Sequence, residues 1–137
     1  MSCIKKQVIV HAPIAQVWSA LVEREALAAW MLDETAAVDL RVGGAYAFFA
    51  GETTGRFTRI DAPTILEYTW RQEDWPEAWA DSKVCWELEA HGASTRILLY
   101  HRDFPNEDER ENHDDGWILY WLNPMCDWLE GRSDSDE

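Results

Sequence analysis

The sequence predicts an α+β domain in which the strands of an antiparallel meander enclose one long C-terminal helix. Three observations carry this. Residues 113–129 have helical periodicity with two apolar stripes side by side: at about 100° per residue, Trp117, Trp121 and Trp128 share an arc flanked by His113, Tyr120 and Pro124, while Ile118, Leu122, Met125 and Leu129 fill the next arc. A helix apolar over more than half its circumference must be enclosed. From Ala36 to His101 short apolar runs alternate with turn residues, and one strand and two short helices stand ahead of them.

Taken in order, residues 4–10 alternate lysine and glutamine with aliphatics and read as a strand. Pro13 opens a helix whose apolar face is Ile14, Val17, Trp18 and Leu21, and a second helix over 24–30 carries Leu27 and Trp30. Neither is long enough to stand without packing on the strands. Residues 38–40 meet Gly43-Gly44, 46–50 meet Gly51 and Gly55, 57–60 meet Asp61-Ala62-Pro63, and 65–70 run into a charged loop, as in a meander. Residues 84–89 and 95–101 flank His91-Gly92, a hairpin connection. Alternation puts Val84, Trp86 and Leu88 on one buried face and Leu66, Tyr68 and Trp70 on an inner face. Ile97, Leu99 and His101 lie opposite Leu98 and Tyr100; the outer pair is either a homodimer contact or scattered apolar surface. Residues 106–115 read as a charged, solvated loop entering the last helix.

With 137 residues the chain reads as one domain over 1–131 followed by an acidic, disordered tail over 132–137. The net charge of −14 argues against nucleic acid and against anionic membrane as partners, because both are held through Lys and Arg. No apolar run is long enough to span a bilayer and the N-terminus lacks a secretory signal, so a cytoplasmic protein is expected. Cys3, Cys85 and Cys126 are far apart and form no metal or redox motif. Gly43-Gly44 lacks the pattern of a nucleotide loop. His101-x-Asp103 and His113-Asp114-Asp115 lack the further ligands a metal needs. No metal or cofactor is expected.

The ordered set Ala12-Pro13 with Val17-Trp18, Trp30, Gly43-Gly44, Ala62-Pro63 followed by Leu66 to Trp70, Trp86-Glu87-Leu88, Ser94-Thr95-Arg96, Phe104-Pro105, and His113 with Gly116-Trp117 resembles the family named for activators of the heat-shock protein 90 ATPase. That family belongs to the START-like, polyketide-cyclase-like superfamily. The resemblance covers nearly the whole chain and implies a helix-grip fold: a curved antiparallel sheet of about six or seven strands around a long C-terminal helix, two short helices after the first strand, and an internal cavity. Superfamily cavities hold lipids, polyketides and other hydrophobic molecules, and some branches catalyse cyclisation or hydrolysis. Members that stimulate the chaperone, a stress-response role, carry an additional chaperone-binding domain for which 137 residues leave no room. Three positions depart from the family. Val42 stands where proline is frequent, Asp103 stands where glycine is common, and Pro124 sits inside the last helix, where its missing amide predicts a kink or a freed carbonyl at Tyr120.

Trp30, Trp70, Trp86, Trp117, Tyr120 and Trp121 are the expected cavity wall, with Phe48 added on strand alternation and His113, Tyr68 and Tyr100 as polar groups that orient a guest. Cavity wall and solid core need the same side chains, so both readings stand on sequence alone. Trp75 and Trp79 in the loop 71–82 are candidate lid residues. The leading expectation is non-enzymatic binding of an apolar or aromatic small molecule. The alternatives are a cyclase or hydrolase using His113, tuned by a nearby carboxylate, and regulation of a chaperone ATPase.

Overall fold

Alternation of apolar and polar side chains gives the sheet one buried face, and that face closes on the C-terminal helix. The computed structural model describes residues 3–135. The elements are β1 (Ile4–Val10), α1 (Ile14–Val22), α2 (Arg24–Met31), β2 (Ala37–Val38), β3 (Ala45–Phe48), β4 (Thr53–Asp61), β5 (Ile65–Gln72), β6 (Ser82–His91), β7 (Ser94–Arg102), α3 (Glu107–Gly116), a π-helical turn (Trp117–Leu122) and α4 (Asn123–Ser135). The seven strands form one antiparallel sheet in the order β1-β7-β6-β5-β4-β3-β2. β1 reaches across the chain to pair with β7, from Ile4 opposite His101 to Val10 opposite Thr95. Gly92-Ala93 closes the β6–β7 hairpin, with Gly92 at φ +64° where glycine has no steric penalty. A register shift between Phe57 and Arg59 interrupts the β4–β5 ladder, a feature that bends and twists a strand. On the concave face lie Leu66, Tyr68, Trp70, Val84, Trp86, Leu88, Ile97, Leu99 and His101, all buried. α1 and α2 pack against α4 and complete the enclosure.

Residues 106–115, expected as a solvated loop, instead form α3. Asn106 is its N-cap and its side chain accepts from the Glu109 amide at 2.9 Å. Glu107, Asp108 and Glu109 fill the first turn, where negative charge faces the exposed amides favourably. Asn106-x-x-Glu109 is thus a helix-start signature hidden in a run of charge. Gly55, expected in a turn, lies inside β4. A Cβ there would fall 1.9 Å from the Thr69 carbonyl and 2.7 Å from the Tyr46 hydroxyl, because Tyr46 reaches over β4 to donate to that carbonyl at 2.5 Å. Of the tail expected at 132–137, the backbone is helical to Ser135 and the last two positions lie outside the described residues.

Pro124 produces neither a simple kink nor a straight helix. The backbone widens into the π turn immediately before it, and the Asn123 amide bonds the carbonyl of Ile118, five residues back. One extra residue in a turn rotates everything downstream by about 100°. The rotation merges the two apolar stripes. Trp117, Trp121, Leu122, Met125 and Leu129 become one buried face, while Trp128 moves to a half-buried flank and Tyr120 turns outward. Gly55→Ala should lower unfolding free energy by at least about 2 kcal/mol, since the methyl meets backbone that cannot yield. Urea denaturation of the variant beside the parent protein measures this, and equal stability would overturn the strand placement of Gly55.

Candidate functional site

A cleft of about 720 Å³ opens between the π turn, α2, the β3–β4 connection and the end of β5. Its apolar wall is Trp30, Met31, Trp70, Trp117, Tyr120, Trp121 and Pro124. The rings stack edge to face or tilted: Trp117 lies 4.9 Å from Trp121 and 5.0 Å from Trp70, and Trp30 lies 5.5 Å from Trp121. Glu52, Thr53, Gln72, Asp74, Glu109, Asn112 and His113 supply the polar part of the lining.

The lip of the cleft is built from strained backbone. Leu32 caps α2 at φ 56° and is 90% exposed, and Phe49 has φ 55°. Left-handed backbone is unfavourable for such residues by about 1–2 kcal/mol each. Asp33 holds it. Its carboxylate accepts from the Phe49 amide at 2.7 Å, the Thr35 amide at 3.0 Å and the Thr35 hydroxyl at 2.5 Å. Burial alone would raise the Asp33 pKa, but the bonds from Thr35 and Phe49 and the nearby Arg24 charge outweigh it and hold the carboxyl below 3.8.

Behind the wall runs a chain of buried hydrogen bonds. Trp117 Nε1 donates to His101 Nδ1 at 3.1 Å, which leaves the imidazole hydrogen on Nε2. Nε2 then donates to Ser82 Oγ at 2.7 Å, and that hydroxyl donates to the Trp70 carbonyl at 3.0 Å. Trp70 Nε1 in turn donates to His113 Nε2 at 3.2 Å, and His113 Nδ1 donates to the Glu109 carbonyl at 2.8 Å. The two imidazoles are 5.5 Å apart. Burial pushes the His101 pKa well below its ordinary 6.5, and proximity to His113 pushes it the same way.

Trp30, Trp70, His113, Trp117, Tyr120 and Trp121, all expected at a ligand site, line the cleft. Tyr120 does so from the rim, 68% exposed. Phe48, Tyr68 and Trp86 do not line it; they fill the interior as solid core. Trp86 Nε1 donates to the Tyr68 hydroxyl at 2.9 Å, and burial pushes that phenol far above its ordinary range, so it is a neutral structural group. Tyr100 faces the other side of the sheet, under Lys5, and is remote from any guest. Trp75 is 5% exposed and packs 6.1 Å from His113 and from Trp79, so it is built in rather than hung over an opening. The Arg71 guanidinium fastens that loop through the Pro76 carbonyl at 2.5 Å, the Trp79 carbonyl at 2.7 Å and the Asp81 carboxylate at 3.1 Å. Asp74 is the member of the loop that reaches the cleft.

His101 and Ser82 escaped recognition as members of a site. The signal was present, for His101 is in phase with buried Ile97 and Leu99, and a histidine among core positions needs partners for both nitrogens. Strand alternation alone puts His101 and Asp103 on one face, but Asp103 leaves the strand at φ 62° and is exposed while His101 is buried. That left-handed angle explains why glycine suits the position. Met31, Leu32, Phe49, Glu52 and Asp74 were also missed, because helix ends and loops carry no periodicity that assigns them to a face.

A curved antiparallel sheet closed on a C-terminal helix, with an aromatic cleft between them, defines a START-like helix-grip protein. The model of the family described as Activator of Hsp90 ATPase homolog 1-like protein matches residues 11–126, and the chain belongs to that family. The HSP90 activator PFC0360w of Plasmodium falciparum is 24% identical over 96% of this chain and 97% of its own, with a TM-score of 0.85. CalU16 of Micromonospora echinospora is 26% identical over 97% of this chain and 79% of its own, with a TM-score of 0.80. The Aha1 dimer of Colwellia psychrerythraea is 19% identical over 95% of this chain and 97% of its own, with a TM-score of 0.81. No curated protein matches the chain. No helix among the described residues is long and apolar enough to cross a membrane.

Because folding depresses the His101 pKa, the unfolded chain takes up a proton near pH 6.5 that the folded chain refuses until lower pH. The stability this histidine contributes is therefore complete above pH 6.5 and lost as pH falls, by up to about 1.4 kcal/mol per pH unit. Urea unfolding between pH 7.5 and 5 should show that decline, and a flat profile would remove His101 from this role. The Asp33 contribution persists to lower pH and disappears only below its ordinary 3.8.

Proposed function

We propose that this protein binds an apolar or aromatic small molecule in the cleft beside the π turn, without catalysing its conversion. The observation that carries the reading is a tryptophan-walled cleft of about 720 Å³ whose apolar lip, Leu32 and Phe49, has left-handed backbone, held at Phe49 by Asp33. Its volume falls within the range usual for small-molecule sites. Backbone strain that the surroundings enforce also tends to collect at ligand clamps. The histidines speak against acid-base chemistry. His101 is buried and neutral, and both ring nitrogens of His113 are engaged, one by Trp70 and one by the Glu109 carbonyl. A base for catalysis needs a free nitrogen facing the substrate.

Membership of the family, and a similar structure from Plasmodium falciparum described as an HSP90 activator, favour a second reading: this chain modulates a chaperone ATPase. The Colwellia psychrerythraea neighbour, an Aha1 dimer, likewise favours a homodimer, with the half-buried outer-face pair Leu98 and Tyr100 as its contact.

Native mass spectrometry of the freshly purified protein should show an added mass that is lost on denaturation. Tyr120→Ala and Phe49→Ser, both at the rim, should each weaken binding of that guest by about tenfold, equal to about 1.4 kcal/mol, with little change in stability. An apo mass together with stimulated chaperone turnover would favour the second reading. Sedimentation of the native protein against Tyr100→Glu tests the dimer, which should dissociate in the variant.

A further inference from the structure

Three of the four tryptophan N–H groups of the cleft wall are spent on protein acceptors. Trp30 Nε1 donates to the Ala20 carbonyl at 2.8 Å, Trp70 Nε1 to His113, and Trp117 Nε1 to His101. The His113 N–H is spent on the Glu109 carbonyl, and the Thr53 hydroxyl donates to Gln72 at 2.7 Å. The wall therefore offers mostly ring surface and few of the donors that hold a carboxylate or phosphate.

The cleft also carries negative charge. Glu52, Asp74 and Glu109 line it, and no lysine or arginine does. Among the described residues none of Glu52, Asp74 and Glu109 pairs with a lysine or arginine, and the Glu109 carboxylate lies 3.9 Å from the His113 ring. An anionic guest would meet three carboxylates with few donors to offset them. A protonated amine would meet both charge-assisted acceptors and aromatic faces. The net charge of −14 adds attraction at longer range.

We propose that the guest is a cationic amphiphile, an apolar or aromatic body bearing one amine or guanidine that is protonated at neutral pH. Its body lies against Trp70, Trp117 and Trp121 and its cation among Glu52, Asp74 and Glu109. This rests on the cleft being a binding site, and the test separates the two claims.

Naphthylethylamine, naphthylethanol and naphthylacetate share one body and differ in charge. Each is titrated into the native protein while the indole N–H resonances are followed by two-dimensional NMR, at low and at high salt. The amine should bind about tenfold more tightly than the alcohol, and the acetate weakest, with the spread narrowing as salt rises. The double variant Glu52→Gln with Asp74→Asn changes two exposed side chains and should remove most of the preference while the alcohol still binds. Equal binding of amine and alcohol, or tightest binding of the acetate, would overturn the charge assignment and leave the binding site standing. Failure of all three to move the indole resonances of the cleft would overturn both.

Discussion

A proline that cannot continue the hydrogen-bond ladder sets the geometry on which the rest of this fold depends. In an unbroken α-helix the ring of Pro124 would press on the Tyr120 carbonyl and leave it without a donor. Widening the preceding turn relieves that contact. It also rotates the second half of the helix so that Leu122, Met125 and Leu129 join Trp117 and Trp121 on one buried face. The magnitudes favour the irregular form. A hydrogen bond has a net value near 1 kcal/mol, whereas each large apolar side chain turned into water forfeits about 1.5–3 kcal/mol. Two stripes about 100° apart cannot both face a sheet that grips from one side. The π turn removes that conflict, and in doing so it brings Tyr120 and Pro124 out to the rim of the cleft.

The buried chain from Trp117 through His101 and Ser82 to Trp70 and His113 is the second constraint, and it fixes what the cleft presents. An unpaired polar group in such an interior costs about 1–3 kcal/mol, which the indoles of Trp70 and Trp117 avoid by bonding the two imidazoles, while the buried Trp75 N–H beside His113 goes without a partner among the described residues. Satisfying them inward engages both ring nitrogens of each histidine and locks the rings in place. What remains for the cleft is aromatic surface. The arrangement gives up the use of histidine as a base and gains a rigid wall.

Much of this was legible in the sequence. Strict alternation placed Leu66, Tyr68, Trp70, Trp86 and Leu99 on the inner face correctly, and helical spacing found α1 and α2. What escaped had specific reasons. α3 was hidden because its apolar content is negligible, so periodicity had nothing to register; the cap at Asn106 was the available signal. The merged stripe was hidden because a fixed angle per residue assumes one helix type, and Pro124 changes it. Gly55 resembled a turn residue because the reason for it, the crossing of Tyr46 to Thr69, lies on neighbouring strands. The cleft residues at the lip were hidden because no pattern describes where a loop comes to rest.

The same sheet and helix could have enclosed a cavity or a solid core, and the molecule does both in different places. Toward β6 the interior is filled: Trp86 is fully buried 5.9 Å from Trp117 and 6.1 Å from Trp121, with Tyr68 beneath it. Toward β3 and α2 the filling stops, because Leu32 and Phe49 are held at the lip and do not collapse onto Trp121 and Tyr120. A surface free to relax would cover those rings, for burial of one large apolar side chain gains about 1.5–3 kcal/mol. Left-handed backbone at both positions works against the fold by about 1–2 kcal/mol each. That the bonds around Asp33 nonetheless keep the lip in place means that the opening is enforced by specific contacts and is not a packing defect. A void left by poor packing would be expected to close by adjusting its least constrained edge, and here the Phe49 side of that edge is tied down by the Asp33 and Thr35 side chains at the Phe49 and Ala50 amides.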